Sequence, residues 1–375
     1  MRLPPVRLVA ACLLAAACGA CGGPGGRAAQ PPGGGAHRVG DLAHPRAAHT
    51  ATTLADGRVL VAGGFGADEG EVWASTELFD RSSGAFRPGP RMLAPRQSQT
   101  ATRLRDGRVL VAGGYGADGR TLASAELYDP ATRRFAATGR MTAARSGHAA
   151  VLLRNGTVLI VGGEASLSRM LASAEIYDPA TGRFVATGPM SGARTSHTAT
   201  LLADGRVLVA GGHRGRRASL RVLRSAELYA PATGAFAPTG ALRARRHKHD
   251  AVTLHDGRVL VIAGADQRDD RGAYDTAEIY DPRRGAFAPT GALTLARYKL
   301  QGTSIALMGD DALVTAGAAR PELFDERAQR FRALPGSFGT AHLFAAAARV
   351  GKGALVTGGY TTAGPATADA WLVTP

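Results

Sequence analysis

Cysteine is nearly absent: of three in 375 residues, none lies beyond Cys21. No disulfide can brace the body of the chain, no thiolate can hold zinc there, and no cysteine-based redox centre can form. Lysine is as scarce. Only Lys248, Lys299 and Lys352 stand among 45 basic residues, so the formal charge of +15 is carried by arginine. A GC-rich coding sequence produces such a skew, and the total alone says little about an acidic partner. Aromatic residues make up 6%, too few to interleave with bases, so nucleic acid is not expected. After residue 21 no apolar stretch approaches the roughly 20 residues of a spanning helix. A Ser-His-Asp order, a phosphate-cradling glycine loop and EF-hand spacing are also missing. "DQRDDRGAYD" (266–275) has Asp266, Asp269, Asp270 and Asp275, but not at calcium-loop intervals. No metal and no cofactor are expected.

The amino terminus is different in kind. "MRLPPVRLVAACLLAAACGAC" (1–21) has basic Arg2 and Arg7, an apolar run from Leu8 to Ala17 and then small residues, the order of a secretory signal. "LLAAAC", ending at Cys18, resembles the bacterial lipobox, although Ala15 stands where Leu is usual. The resemblance implies lipidation at Cys18. Residues 22–36, "GGPGGRAAQPPGGGA", read as a flexible Gly/Pro tether. The mature protein is expected in the bacterial cell envelope, lipid-anchored to a membrane or secreted.

What the chain has in quantity is glycine, 50 residues, and repetition. "DGRVLVAGG" occurs at 56–64, 106–114 and 204–212, with near copies at 155–163 and 256–264. Aligned on this phrase, units begin near Ala48, Ser98, Gly147, Ser196, Lys248, Leu300 and Ala345, a spacing of about 50 residues that belongs to propeller blades. Each unit carries four strand signals, in the second unit 99–104, 108–114, 124–130 and 133–139, separated by turn residues such as Asp106-Gly107. A four-stranded blade cannot bury both faces alone, so it stacks on copies of itself. The expected fold is all-β, a seven-bladed propeller, with six blades as the alternative because the "ALVTAG" unit is short.

The double glycine ending the second strand, the Tyr/Phe-Asp-Pro after the third and a "GxMxxxR" such as 139–145 resemble the Kelch repeat, over nearly all of 37–375. One departure is consistent. Kelch repeats usually place Trp in the fourth strand, where this chain has Phe86, Phe135, Phe184, Phe236, Phe287 and Phe331. The last unit ends at "DAWLVTP" (369–375) with no fourth strand, while "HRVGDLAHPR" (37–46) aligns with the tail of a repeat. The amino-terminal strand should therefore complete the last blade and remove the open edges.

Loops after the second and fourth strands of a blade share one face. These vary: after the double glycine come Phe65, Tyr115, Glu164, His213 and Tyr360, and one loop extends through 213–225. That face is the expected binding surface. Arg46, Arg96, Arg145, Arg194, Arg246 and Arg297 recur ahead of the first strands, followed three residues on by His49, Gln99, His148, His197 and His249. The Kelch resemblance implies positions near the channel mouth, where the arginine either holds an acidic ligand or ties loop carbonyls and the repeated third-strand Glu together. A second basic set, Arg214, Arg216, Arg217, Arg221 and Arg224 with Arg243, Arg245, Arg246 and Lys248, falls in neighbouring loops of the same face.

The expected activity is that of a non-catalytic, monomeric scaffold binding a protein, an acidic glycan or a lipid head group. An oxidase of the galactose oxidase kind is excluded because its tyrosine–cysteine crosslink cannot form. The alternative is a sugar isomerase or epimerase, since some exported bacterial Kelch propellers act on sialic acid; Glu164, His148, His197 and His249 would supply it.

Overall fold

The computed structural model describes residues 34–375, apart from 69, 267–271, 301–303 and 362–363. Cys18, the signal segment and most of the tether lie outside the described residues, as does the middle of the 266–275 acidic loop. Seven four-stranded antiparallel sheets follow one another, at 50–88, 100–137, 149–187, 198–238, 250–289, 305–333 and 346–374. The short sixth unit still forms four strands, Ile305–Met308, Asp311–Val314, Glu322–Asp325 and Arg330–Ala333, so the ring has seven blades rather than six.

The seventh blade takes its outermost strand from the other end of the chain. Gly35–Arg38 pairs antiparallel with Ala370–Thr374, and Val39 and Leu42 continue the contact through amide bonds to the Ala370 and Ala368 carbonyls. This strand begins two residues earlier than composition suggested. Gly35 adopts φ 137°, and a Cβ there would fall on the Pro335 carbonyl, so a residue typical of a tether is what the strand requires.

The second strands are buried along their length, as in Val59–Ala62 and Val109–Ala112, apart from the half-buried Asp311 that opens the one in blade six, because their two faces meet two different blades. Leu60, Ala62, Leu78 and Met92 of blade one pack on Val109, Val111 and Tyr128 of blade two, and the pattern repeats around the ring. The fourth-strand phenylalanines lie directly across from the third-strand aromatics: Tyr128 pairs with Phe135, with ring centroids 5.1 Å apart. A Phe suffices there because the third strand already supplies a ring, and such a tilted pair contributes about 1 kcal/mol beyond its buried area.

Candidate binding site at the mouth of the axial channel

The six recurring arginines are the largest fully buried side chains among the described residues. Arg145 shows their common geometry. Its Nη1 donates to the carbonyls of Gly162 (2.8 Å) and Ser173 (3.2 Å), and its Nη2 to Glu175 Oε1 (2.6 Å). Glu175 Oε2 accepts from the Thr142 amide at 2.7 Å. Each Arg–Glu pair thus fastens the connection entering a blade to that blade's second and third strands. Arg46, Arg96, Arg194 and Arg246, with Arg297, repeat these contacts, and none points its terminal nitrogens at the channel. Blade seven departs from the rule. His342 stands in the arginine's place, its Nδ1 3.1 Å from the Gly358 carbonyl, and Trp371 stands in the glutamate's, with ring centroids 4.6 Å apart.

Three residues on, the recurring histidines reach back to the preceding blade. His148 Nε2 is 2.9 Å from Thr100 Oγ1, His249 Nε2 is 3.1 Å from Thr198 Oγ1, and His49 Nε2 is 2.8 Å from Thr357 Oγ1. Gln99 fills the same place in blade two and donates to the Ala62 carbonyl at 2.8 Å. The glycine pairs make room for this. A Cβ on Gly163 would lie 2.7 Å from the Ser146 carbonyl and 2.9 Å from His148 Cβ. Burial, then the nearby Arg145 charge, lowers His148 to about 3; burial and Arg194 do the same to His197. His49 and His249 are also held well below the ordinary value, by burial first. Among the described residues no three of His, Cys, Asp and Glu come together as a metal-ligand set.

Between these two layers the main chain closes a ring around the axis. The amides of Ala48, Ser98, Gly147, Ser196, Lys248, Leu300 and Phe344 donate in turn to the carbonyls of Phe344, Ala48, Ser98, Gly147, Ser196, Lys248 and Lys299, at 2.8–3.3 Å. Ala48, Ser98, Ser196, Lys248, Lys299 and Phe344 take φ between 51° and 57° to do so. On the side of blades five to seven, the Lys248 and Lys299 ammonium groups lie 5.4 and 4.7 Å from the Tyr298 ring.

A cavity of about 600 Å³ occupies the mouth and the upper channel. Its lower wall is small and polar, with Ser98, Thr100, Gly147, Ser196 and Thr198. Its upper wall brings together side chains from three blades. Tyr115 Oη donates to Glu164 Oε1 at 2.6 Å, and Arg216 Nη2 donates to Glu164 Oε2 at 2.6 Å and to Tyr115 Oη at 3.4 Å. Burial and then the bond to Glu164 push the Tyr115 hydroxyl up, keeping it a donor. For Arg216 burial acts downward, but the Glu164 bond and charge outweigh it and raise the guanidinium. His213 packs edge-on against His247 at 5.0 Å, and burial followed by the His247 and Lys248 charges lowers it to about 3.

The long loop of blade four is a small hairpin, His213–Arg214 with Arg221–Val222, bridged by a 3-10 turn at Arg217–Ser219. Arg214, Arg221, Arg224, Arg243 and Arg245 are exposed, Arg216 turns inward to Glu164, and Arg246 is sealed in its Arg–Glu pair. The two expected arginine sets are therefore separate layers, and the outer one has Arg216 as its inward-facing member. Sequence reasoning missed the meeting of Tyr115, Glu164 and Arg216, which no spacing records. It also missed Asp250, a fully buried carboxylate in the cavity wall that accepts from the Ala251 and Ser304 amides at 2.7 and 2.6 Å. Its signal was present, since Asp250 stands where the aligned repeats have Thr50, Thr100 and Thr198.

No family model matches the chain, and no curated protein matches it either. In structure, 1156 solved chains match, so the likeness singles out no activity. One, titled "Structure of YjhT", aligns with a TM-score of 0.61 at 12% identity, over 90% of this chain and 97% of that one. Fold and comparison together define a seven-bladed β-propeller, with its candidate site where the axial channel opens.

Proposed function

We propose that the protein is an exported propeller of the Kelch type, lipid-anchored through Cys18, and that it is a non-catalytic binding module whose variable face takes an acidic glycan. The carrying observation is the hairpin of blade four. It contributes His213, Arg216 and Leu220 to the cavity wall, while Arg214 and Arg221 beside them, and Arg243 and Arg245 of the next connection, stay exposed around it. Such clustering raises the local potential where an anion would arrive.

Isomerase chemistry has less support. Acid–base work on a sugar needs a group titrating near neutrality. His148, His197 and His213 are held neutral with values of about 3, Glu164 is engaged by both Tyr115 and Arg216, and Asp250, which burial raises to about 7, has both oxygens taken up by the Ala251 and Ser304 amides.

The test is binding to immobilised polygalacturonate as salt rises, because screening lengths fall from about 10 Å at 0.1 M to about 3 Å at 1 M. Arg214→Glu, Arg221→Glu and Arg243→Glu together should abolish binding and leave the melting temperature in place, since all three side chains are exposed. Equal retention of the triple variant and the parent would sink the proposal.

A further inference from the structure

We infer that Arg216 receives a carboxylate of the ligand, so that the glycan is recognised end-on, by a terminal acidic sugar residue entering the axial cavity. This rests on the acidic-glycan reading above and narrows it from a surface to a subsite.

Arg216 is unlike every other arginine near the axis. The six recurring arginines are buried and bonded through both terminal nitrogens within their own blades. Arg214, Arg221, Arg224, Arg243 and Arg245 are exposed, and Arg246 is sealed in its Arg–Glu pair. Arg216 alone among the described arginines lines the cavity, with its side chain 42% exposed. It is held only through Nη2, by Glu164 and Tyr115; its Nε and Nη1 donors have no hydrogen-bond partner among the described residues. A planar guanidinium fixed by one nitrogen and free at the others is prepared for charge-assisted bonds to a carboxylate.

The fixing is specific. Glu164 is 7% exposed and comes from blade three, Tyr115 from blade two and Arg216 from blade four. The frame does not depend on this pair, because the aligned positions in other blades hold Phe65, Tyr115, His213 and Tyr360 instead of a glutamate. Glu164 and Tyr115 are positioning residues, and Arg216 is the contact. Below it the wall offers the hydroxyls of Ser98 and Ser196, partners suited to a sugar ring. The volume of about 600 Å³ falls in the range of sites that enclose one small ligand rather than a strand passing through.

The experiment is calorimetric titration of the full chain with D-glucuronate and with D-glucose as its uncharged twin. Glucuronate should bind and glucose should not. Arg216→Gln should weaken glucuronate about tenfold or more, and Arg216→Lys nearly as much, because charge without the planar donors does not suffice. Glu164→Gln should weaken it several-fold without lowering the melting temperature by a comparable fraction. Arg216→Ala should regain binding when guanidinium is added, a rescue that a purely structural role would not give. The rim triple variant should keep glucuronate while losing polygalacturonate. Failure of the parent to bind glucuronate, equal binding by Arg216→Gln, or no rescue of Arg216→Ala would overturn the inference. If the parent retains polygalacturonate but ignores glucuronate, the inference falls and the glycan reading stands. If it binds glucuronate and ignores the polymer, Arg216 is upheld and the rim loses its role.

Discussion

Acid should loosen this propeller well above the pH at which carboxylates titrate, and the histidines between blades are the reason. His148, His197 and His213 have values of about 3 in the fold against an ordinary 6.5, chiefly because burial disfavours the charged ring. The unfolded chain binds the extra protons, so each group's contribution is full above its unfolded value and is lost as pH falls through 6.5 toward 3. Between about pH 7 and pH 5 each loses about 2 kcal/mol, about 6 kcal/mol for the three. Asp250 opposes them. Burial raises its value from 3.8 to about 7, so the fold gains a proton that the unfolded chain does not, and this group stabilises by about 2 kcal/mol over the same interval. The net loss is about 3 to 4 kcal/mol, with His49 and His249 adding in the same direction. Gln99 shows that an amide fits the histidine's place. Replacing His148 and His197 with Gln should therefore remove about 4 kcal/mol of the acid loss, leaving the part that His49, His213 and His249 contribute. Equilibrium urea unfolding, followed by Trp73 and Trp371 fluorescence at each pH, measures it. If parent and double variant lose the same stability on acidification, the histidines are not the acid-sensitive element.

Glu175→Ala should cost about 3–5 kcal/mol by stranding the buried Arg145 charge, whereas Arg145→Met with Glu175→Leu should cost clearly less; thermal melts compare them, and equal losses would contradict the account of the pair. Deleting 34–44 should leave Ala370–Thr374 as an open edge and lower the melting temperature sharply, and an unchanged melt would refute ring closure through Gly35–Arg38. Cys18→Ala should release the protein from the membrane fraction of a bacterial host, while continued retention would count against a lipid on that residue.

The frame was legible because it is periodic. The double glycines, the third-strand Glu-Leu/Ile-aromatic and the recurring arginine each answer a requirement that every blade shares, so each appears repeatedly. The two readings of the arginine were both open in sequence, since a residue conserved around a ring looks the same whether it faces a ligand or a carbonyl; 0% exposure for Arg46, Arg96, Arg145 and Arg246 separates them. The site was not legible because its parts are single events. Glu164 departs from its repeat, Arg216 belongs to a loop insertion, Tyr115 recurs only as Tyr360, and only the rotation between adjacent blades brings the three within bonding distance. Asp250 and the His342–Trp371 exchange are visible as departures, yet what they touch belongs to the next blade.

The hydrogen-bonded ring at the axis uses only main-chain atoms, and this separates two kinds of inheritance. The seven side chains it presents, Ala48, Ser98, Gly147, Ser196, Lys248, Lys299 and Phe344, have no common chemistry, and none is β-branched, the one class that the left-handed backbone penalises most. Outside Gly147, where a Cβ would meet Thr195 Oγ1, a residue other than proline, which lacks the amide donor and the positive φ, can be substituted there without removing a bond from the annulus. Descendants of one such chain can therefore change what their channel admits through single substitutions at these addresses, while the folding instructions, written in glycines and buried arginines elsewhere, pass on unaltered.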